Sequence, residues 1–240
     1  MKVVITMAGI GSRFQKAGYT VPKYEITVCG HTLFYWSMLS LAKFDIANYI
    51  FVVRKENNAE NFILSECKKL NVHPIIVELD YMTSGQAETA MLAAPYWNKE
   101  EALLIYNIDT YVEPGAMNQD QIRGDGFIPC FCGKGEQWSF VRLNESGKAE
   151  EVREKKRISD HCTIGAYYFR TAKLYEDLYN EYYIDGAHLE MGERYVAPLY
   201  NHLIAKGGEV YVCDVPATRV HVLGTPEEVE QFKAVNGTKE

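Results

Sequence analysis

The fold of this chain is decided by its first strand and the loop behind it, KVVITMAGIGSRF at residues 2–14. The run at 2–7 is β-branched and apolar, which predicts a buried strand. Three similar runs follow, at 49–54, 73–79 and 102–108. Helical patterns separate them, at about 33–43, 57–70 and 84–96. This alternation predicts βαβ units on a doubly wound, Rossmann-like α/β sheet with right-handed connections.

The pattern changes after Asp109, where short strand-like runs follow one another without long helices between them. Such runs lie at 126–132, 138–144, 149–155 and 161–169. The second and third flank Glu145-Ser146-Gly147-Lys148, a hairpin-type turn. They are followed by helical stretches near 171–181 and 193–206, a strand at 209–215 and a helix capped by Thr225. We expect one domain, 1–240, whose mixed sheet carries a β-hairpin insertion.

Size and charge argue against several classes of protein. With 240 residues, 47% of them hydrophobic, the chain can bury a full core, so we do not expect a disordered or fibrous protein. A formal charge of −7 gives no general attraction to nucleic acid. The first apolar run is too short for a signal peptide, and none is long enough to span a membrane. We therefore expect a cytoplasmic protein with neither a nucleic-acid nor a membrane partner.

The cysteines are scattered and lack zinc-finger spacing: they are Cys29, Cys67, Cys130, Cys132, Cys162 and Cys213. That pattern is typical of reduced, mostly buried thiols in a cytosolic protein. Cys130 and Cys132 would share one face of a strand, so a metal role for that pair stays open.

The loop after the first strand offers backbone N–H groups to an anion. Ala8, Gly9, Gly11 and Ser12 can approach phosphate oxygens closely, and Arg13 adds a fixed cation. The loop matches neither GxGxxG nor GxxxxGK[ST], so a dinucleotide or a P-loop is disfavoured. The alternative is an ordinary strand-to-helix turn. Lys23 follows ten residues later, behind Pro22, and on its own it reads as a surface charge.

Asp109 follows the fourth strand, in Asn107-Ile108-Asp109. If the strand order begins 3-2-1-4, the first and fourth strands are neighbours at the crevice where ligands bind in such sheets. A carboxylate at that place suits Mg²⁺, which takes one or two carboxylates and leaves its other positions to phosphates and water. The alternative is that Asp109 only caps the next turn.

Two further segments carry polar groups. Thr83 and Gln86 form a potential capping box, and Ser84 and Gly85 at that helix start could meet a base or a phosphate, although Gln86 would serve equally well as a cap alone. Glu154-Lys155 pairs an acceptor with a cation at the end of the hairpin, although a solvated charge run is the simpler interpretation.

The order of these motifs resembles the sugar-phosphate nucleotidylyltransferases, also called nucleoside-diphosphate-sugar pyrophosphorylases. The matching pieces are Met7–Phe14, Pro22-Lys23, Ser84–Ala87, Asn107–Asp109, Glu154-Lys155, Gly165–Phe169 and Gly224–Glu228. The resemblance implies a GT-A-like nucleotidyltransferase fold, with a nucleotide-binding half at 1–112 and an acceptor-binding half at 113–240. Its partners would be an NTP and a phosphorylated small molecule, and its cofactor Mg²⁺.

The resemblance also implies roles for single residues. The nucleotide would lie over the 8–13 loop with its base near Gly85 and Gln86, and its phosphates would meet Arg13 and the Mg²⁺ held by Asp109. Lys23 would hold the α-phosphate or the acceptor phosphate. Glu154 and Lys155 would contact the acceptor, and Gly165 would leave room for it.

Two departures from the family pattern bear on the site. The family usually has a second metal-binding Asp two residues before Gly-Thr, where this chain has Val222. Either one carboxylate suffices, or His221 or another acid such as Asp214 completes the metal site. The second departure is Glu25, where sugar enzymes commonly carry apolar or proline-containing sequence.

This variant pattern is similar to capsule-biosynthesis cytidylyltransferases that act on phosphoglutamine with CTP. Such an acceptor needs partners for an ammonium and a carboxylate, which Glu25 or Glu190 with Arg194 could supply. Two other functions stay open, a glycosyltransferase that uses a nucleotide-sugar and a nucleotide-sensing protein without catalysis. The sequence leaves the oligomeric state open, and a homo-oligomer is compatible with it.

Overall fold

The computed structural model describes residues 1–46 and 48–237. The first half contains the strands and helices β1 Lys2–Thr6, α1 Ser12–Lys16, β2 Thr27–Val28, β3 His31–Thr32, α2 Leu33–Leu39, β4 Asn48–Arg54, α3 Glu60–Leu70, β5 Pro74–Leu79, α4 Gln86–Met91, β6 Leu103–Asn107 and β7 Thr110–Val112. The four main strands lie within a residue or two of their predicted bounds. The helices are shorter than predicted, since α2 ends at Leu39 and α4 at Met91.

The second half is built mostly of short strands, as predicted. It contains β8 Gly126–Phe131, β9 Ser139–Leu143, β10 Ala149–Glu154, β11 His161–Thr163, β12 Ala166–Phe169, α5 Ala172–Tyr182, α6 Leu199–Ala205, β13 Val210–Asp214, β14 Val220–Val222 and α7 Pro226–Asn236. The hairpin β9–β10 is antiparallel, with a bulge between Ala149 and Glu151. Helix α7 begins as predicted, because Thr225 Oγ1 accepts a hydrogen bond from the Glu228 N–H at 3.2 Å.

Most strands join one mixed sheet. Among the described residues this sheet has ten strands in the order β10-β9-β11-β8-β12-β6-β1-β4-β5, with β13 paired to β8. Strands β5, β4, β1 and β6 are mutually parallel neighbours, which is the 3-2-1-4 order on which the crevice depends. The doubly wound α/β fold is therefore confirmed, and the carboxyl ends of β1 and β6 lie side by side.

Both faces of the sheet are covered by helices. Val4 and Ile50 belong to the core under α4, α5 and α6. Val3, Ile5 and Phe51 point to the opposite face, into the core under α2 and α3. Adjacent strand residues therefore alternate between two apolar layers, as expected for a sheet buried on both sides. Within the described part of the chain, no helix has the length and apolarity to cross a bilayer.

Two predicted elements are wrong in detail. The run at 161–169 is not one strand, because Gly165 adopts φ +88° and divides it into β11 and β12. β11 pairs with β8 and β9, whereas β12 pairs with β8 and β6, so the break lets the chain change neighbours. The helix predicted at 193–206 begins only at Leu199, after Pro198. Residues before a proline are disfavoured in the helical region, and 193–195 lie along the loop ahead of α4 instead.

Candidate active site

The crevice lies where β1 and β6 end together, since Thr6 pairs with Asn107. One cavity of about 590 Å³ lies over the loop after β1 and is lined by Ala8, Gly9, Gly11, Ser12, Lys23, Ser84, Gly85 and Gln86 among others. A second cavity of about 340 Å³ reaches the hairpin and is lined by Arg13, Glu154, Lys155, Gly165 and Tyr195 among others. Gln86, Asn107, Asp109 and Glu193 line both. The two cavities therefore form one crevice with Asp109 at the junction.

The loop after β1 leaves its backbone accessible. Gly11 adopts φ +67° and precedes α1, and the Phe14 N–H donates back to its carbonyl at 3.0 Å. A Cβ on Gly9 would meet nothing within 4 Å, so the backbone there borders open space. Arg13 is exposed and faces the second cavity. The arrangement leaves several N–H groups and one guanidinium near the crevice, which suits an anion.

Lys23 and Asp109 form the ion pair at the centre of the crevice. Lys23 Nζ donates to Asp109 Oδ2 at 2.5 Å, and the two side chains are 18% and 27% exposed. The stem of Lys23 lies against Gly11, where an added Cβ would be 3.6 Å from the Lys23 Cβ. The lysine is therefore not the solvated surface charge that its sequence context alone indicates. Its ammonium lies at the carboxylate of Asp109, the residue that the sequence suggests as a metal ligand.

Asn107 is held by a contact that only the fold reveals. Its Nδ2 donates to Thr110 Oγ1 at 3.2 Å and to the Ile164 carbonyl at 3.4 Å, while its buried Oδ1 has no partner among the described residues. A Cβ on Gly165 would lie 2.1 Å from the Asn107 Nδ2. The space over Gly165 is thus filled by Asn107 rather than left for a ligand. Gly165 still lines the second cavity.

The segment before α4 is positioned by the chain around Arg194. The Arg194 N–H donates to the Ser84 carbonyl at 2.6 Å, and the Ala87 N–H donates to the Arg194 carbonyl at 2.9 Å. Gly85 adopts φ +139°, and a Cβ there would lie 2.5 Å from the Arg194 carbonyl oxygen. The predicted capping box of Thr83 and Gln86 is wrong, because α4 begins directly after Gly85.

The side chains freed from capping make other contacts. Thr83 Oγ1 hydrogen-bonds Thr89 Oγ1 at 2.6 Å. Ser84 donates to Glu88 through both its N–H and its hydroxyl. Gln86 Nε2 donates to Thr6 Oγ1 at 3.2 Å and so faces the crevice from the end of β1. Among the described residues, no hydrogen bond to Gln86 Oε1 is formed.

The acceptor candidates at the hairpin end are fixed by hydrogen bonds. Glu154 accepts from the Ser139 hydroxyl, and burial raises the pKa of the Glu154 carboxyl. Lys155 adopts φ +49°, and its ammonium donates to the Tyr195 hydroxyl at 2.6 Å. Glu154 is half-buried and is therefore not part of a solvated charge run, whereas Lys155 is exposed. Both line the second cavity, as Glu193 and Tyr195 do.

Three predicted acceptor residues do not reach the crevice. Arg194 Nη1 donates to the Tyr179 hydroxyl at 2.6 Å, and the guanidinium lies over the Tyr179 and Tyr183 rings. Arg194, Glu190 and Glu25 are not among the described residues that line either cavity. Glu193 and Tyr195, on either side of Arg194, do line the second cavity.

His221 and Asp214 also lie elsewhere. His221 stacks on Tyr111 at 5.3 Å, with its Nε2 3.4 Å from Glu113 Oε1. Asp214 Oδ1 lies 2.8 Å from His161 Nδ1. Neither His221 nor Asp214 is among the described residues lining the two cavities. The structure thus brings neither candidate for a second metal ligand to Asp109.

Glu228 is, with Glu193, one of two acids among the described crevice residues that the sequence motifs do not indicate. It lines the second cavity beside Asp109 and Val222. An added Cβ on Gly224 would lie 3.4 Å from Asp109 Oδ2 and 3.5 Å from Glu228 Oε2. Burial raises the pKa of Glu228, and the nearby Asp109 carboxylate adds to that rise. Its place two residues after Thr225-Pro226 gave only a helix-start signal.

These oxygens fit a hard divalent cation better than a soft one. The described residues contain no group of three or more His, Cys, Asp or Glu side chains that could hold a metal, so Cys130 and Cys132 gain no support as ligands. Cys130 is buried, whereas Cys132 is exposed. Asp109, Glu228 and the unpartnered Asn107 Oδ1 offer oxygen alone, which Mg²⁺ prefers. Lys23 Nζ already stands as a cation on Asp109.

Solved structures share this architecture. The nucleoside-diphosphate-sugar pyrophosphorylase from Vibrio cholerae RC9 is 34% identical, with a TM-score of 0.89 over 98% of this chain and 100% of that one. The inositol-1-phosphate CTP transferase from T. maritima shares the fold at 17% identity, with a TM-score of 0.81 over 98% of this chain and 94% of that one. No protein-family model and no curated protein matches the sequence. At 34% identity over almost its whole length, the chain belongs to the nucleoside-diphosphate-sugar pyrophosphorylase family of nucleotidyltransferase enzymes.

Proposed function

We propose that this enzyme transfers an NMP group from an NTP to the phosphate of a small-molecule acceptor and releases pyrophosphate. The observation that carries the proposal is the Lys23–Asp109 ion pair at the junction of two cavities. One cavity has a glycine loop suited to phosphates, and the other has polar side chains suited to an acceptor. A transfer enzyme needs both compartments to meet at its reacting atoms.

The nucleotide side is the cavity over the loop after β1. The N–H groups around Gly9 and Gly11 would receive the phosphates. Arg13 lines the second cavity, so it would meet the leaving pyrophosphate where the two cavities join. Gln86 would read the base, since its Nε2 is engaged by Thr6 while its Oε1 is left to accept from a ligand. An acceptor oxygen of this kind suits an exocyclic amino group, which cytosine, adenine and guanine carry and uracil lacks. Among these bases we test CTP first, because the sequence pattern is similar to that of capsule-biosynthesis cytidylyltransferases.

The acceptor side is the cavity at the hairpin. The name of the Vibrio cholerae relative makes a sugar phosphate the first acceptor to test. Phosphoglutamine is the second, because Glu193 and Glu154 offer carboxylates for its ammonium and Lys155 offers a cation. Glu25, Glu190 and Arg194 are replaced in that role, since they do not line the cavity. Either product would be an activated precursor of the kind used in capsule or surface-polysaccharide synthesis.

The reaction we propose is an in-line attack by an acceptor phosphate oxygen on the α-phosphorus. One O–P bond forms, the bond from the α-phosphorus to the bridging oxygen breaks, and pyrophosphate leaves with that electron pair. The acceptor phosphate is already ionised near neutral pH, so no base is needed. Because two polyanions must meet, alignment and charge neutralisation dominate the catalysis.

The chain's own cations carry that neutralisation. Lys23 stabilises the extra negative charge of the pentavalent state, and Arg13 stabilises the departing pyrophosphate. Asp109 would hold Mg²⁺, which would screen the phosphate charges when bound. Lys155, fixed by Tyr195, holds the acceptor, and Glu154, fixed by Ser139, contacts it.

A pyrophosphate-release screen tests the proposal. Each of the four common NTPs is mixed with Mg²⁺ and a panel of sugar phosphates, phosphoglutamine and buffer alone. We expect pyrophosphate only when an NTP and one acceptor class are present together. Pyrophosphate formed equally without any acceptor would contradict the proposal. In a separate mixture, transfer of the sugar from a nucleotide-sugar would contradict it as well.

A further inference from the structure

The crevice contains a carboxylate, Glu228, to which the sequence assigns only a place at the start of a helix. We propose that Glu228 is the second carboxylate ligand of the divalent cation, together with Asp109. It would take the role of the Asp that the family usually has at the position of Val222. This inference rests on the proposed function of the crevice, because it assigns a residue to the metal that the reaction uses. It replaces His221 and Asp214, which point elsewhere.

The two carboxylates face one small volume. A Cβ built on Gly224 would lie 3.4 Å from Asp109 Oδ2 and 3.5 Å from Glu228 Oε2. A glycine leaves this point free, whereas a Cβ there would be in van der Waals contact with both oxygens. Both residues line the second cavity, so the volume is continuous with the place where phosphates would lie.

The fold holds Glu228 at this position through three successive contacts. β14 pairs with β7, with Val222 opposite Thr110. The Leu223 N–H donates to the Asp109 carbonyl at 2.8 Å, which fixes the backbone next to the acid. Thr225 then caps α7 by accepting from the Glu228 N–H. The first turn of the helix is therefore tied to the Asp109 loop by backbone hydrogen bonds.

A cation is already present at this point of the structure. Lys23 Nζ lies 2.5 Å from Asp109 Oδ2, the same oxygen that faces Gly224. Asn107 adds a buried Oδ1 without a partner among the described residues, two positions before Asp109. The site thus supplies oxygen donors, and Lys23 competes with a metal ion for Asp109. Mg²⁺ needs only one or two carboxylates when phosphates and water complete its shell.

A simpler role for Glu228 is to cap the helix, since it occupies the third helical position after Thr225. The two roles make different demands on the side chain. Glutamine can replace glutamate in a capping box, but it lacks the charge that a Mg²⁺ ligand provides. Glu228→Gln therefore separates them. Glu227→Gln is the matched control, because Glu227 is exposed, lies in the same helical turn and carries the same charge.

The experiment is a titration of the protein with Mn²⁺ alone, followed by electron paramagnetic resonance of the free ion. We expect Glu228→Gln to bind Mn²⁺ at least about tenfold more weakly than the wild type, at the low end of losses seen when metal-site support is removed. Glu227→Gln should stay within about twofold of the wild type. Thermal denaturation should show equal stability for the two variants.

A compensating variant sharpens the assignment. Val222 lines the same cavity and sits opposite Thr110, one residue from Asp109. Adding Val222→Asp to Glu228→Gln restores a carboxylate beside Asp109. We expect it to recover most of the lost Mn²⁺ affinity, which no capping role of Glu228 would explain.

The outcomes separate this inference from the proposed function. If Asp109→Asn loses Mn²⁺ binding while Glu228→Gln binds as the wild type does, Glu228 is not a ligand and the metal role of Asp109 stands. If neither variant differs from the wild type, or the wild type shows no saturable binding, the assignment of Glu228 is overturned. Pyrophosphate release by the wild type is measured separately and decides the proposed function on its own.

Discussion

Replacing Lys23 by methionine should have two opposite effects, because this lysine serves the reaction and also neutralises Asp109. Lys23→Met keeps the length of the side chain and removes the charge. The reaction loses a cation beside the α-phosphorus, while the metal site loses a competitor that lies 2.5 Å from Asp109 Oδ2. Turnover should therefore fall while the affinity for Mn²⁺ rises.

The size of each effect follows from the partial burial of the pair, whose side chains are 18% and 27% exposed. Unit charges about 4 Å apart interact by about 1 kcal/mol in water and about 4 kcal/mol at an effective dielectric constant of about 20. An intermediate value of about 2 kcal/mol corresponds to roughly 30-fold tighter Mn²⁺ binding. Loss of one charge-stabilising donor typically lowers kcat by about 10²–10³, and we expect the KM for the NTP to change far less.

Two measurements and one control check this prediction. Steady-state pyrophosphate release gives kcat and KM, and Mn²⁺ titration of the free protein gives the metal affinity. Lys16→Met is the control, because Lys16 is an exposed lysine of α1 close in sequence to the same loop. Normal turnover by Lys23→Met, or Mn²⁺ binding that weakens with it, would refute the reasoning. A misfolded variant would lose both and is recognised by its thermal denaturation.

Three further predictions follow from single contacts. Asp109→Asn should abolish turnover and weaken Mn²⁺ binding at least about tenfold, and undiminished activity in Mg²⁺ would remove the metal-site proposal. Gly165→Ala should destabilise the protein by about 1–3 kcal/mol in urea denaturation, because alanine is strained at φ +88° and its Cβ would lie 2.1 Å from Asn107 Nδ2. Wild-type stability would count against that contact. Burial raises the pKa of the Glu154 carboxyl in the folded protein above its value in the unfolded chain, which is about 4.3. Ionisation of Glu154 therefore destabilises the folded state fully above the raised pKa and not at all well below the unfolded value. Glu154→Gln should accordingly gain stability relative to the wild type as pH rises from about 4 to 7, and a difference that does not change with pH would exclude this cause.

The strand order and the phosphate loop could be predicted because their signals are local. The strands at 2–6 and 103–107 are apolar runs of a length typical of strands. Gly9 and Gly11 follow the first of them closely and mark the loop there. Alternation of strands and helices then constrains the topology to few arrangements. The placement of Asp109 at the crevice follows from the strand order alone.

The parts that could not be predicted depend on contacts between distant residues. The strand breaks at Gly165, where the Asn107 side chain leaves no room for a Cβ, and Asn107 lies 58 positions earlier in the chain. Arg194 was expected in the crevice, but its backbone holds Ser84 while its side chain packs on Tyr179. Whether residue 193 or 194 faces a cavity depends on a one-residue register that composition does not encode.

Glu228 illustrates the same limit in the site itself. Its sequence context, directly after Thr225-Pro226, signals the start of a helix and nothing else. Only the pairing of β14 with β7 brings that helix start to Asp109. The family pattern has an Asp at position 222, and its absence suggests His221 or Asp214 as the second metal ligand. The fold instead brings Glu228 close to Asp109.

The central claim is nucleotidylyl transfer, and ³¹P NMR of one reaction mixture tests it most directly. The wild-type enzyme is incubated with Mg²⁺, CTP and the acceptor selected by the screen. We expect the CTP resonances to be replaced by pyrophosphate and, in equal amount, by the two coupled doublets of a new diphosphate diester. Formation of CDP and inorganic phosphate would contradict the claim. So would the absence of pyrophosphate and of a new diphosphate with every acceptor and each of the four NTPs.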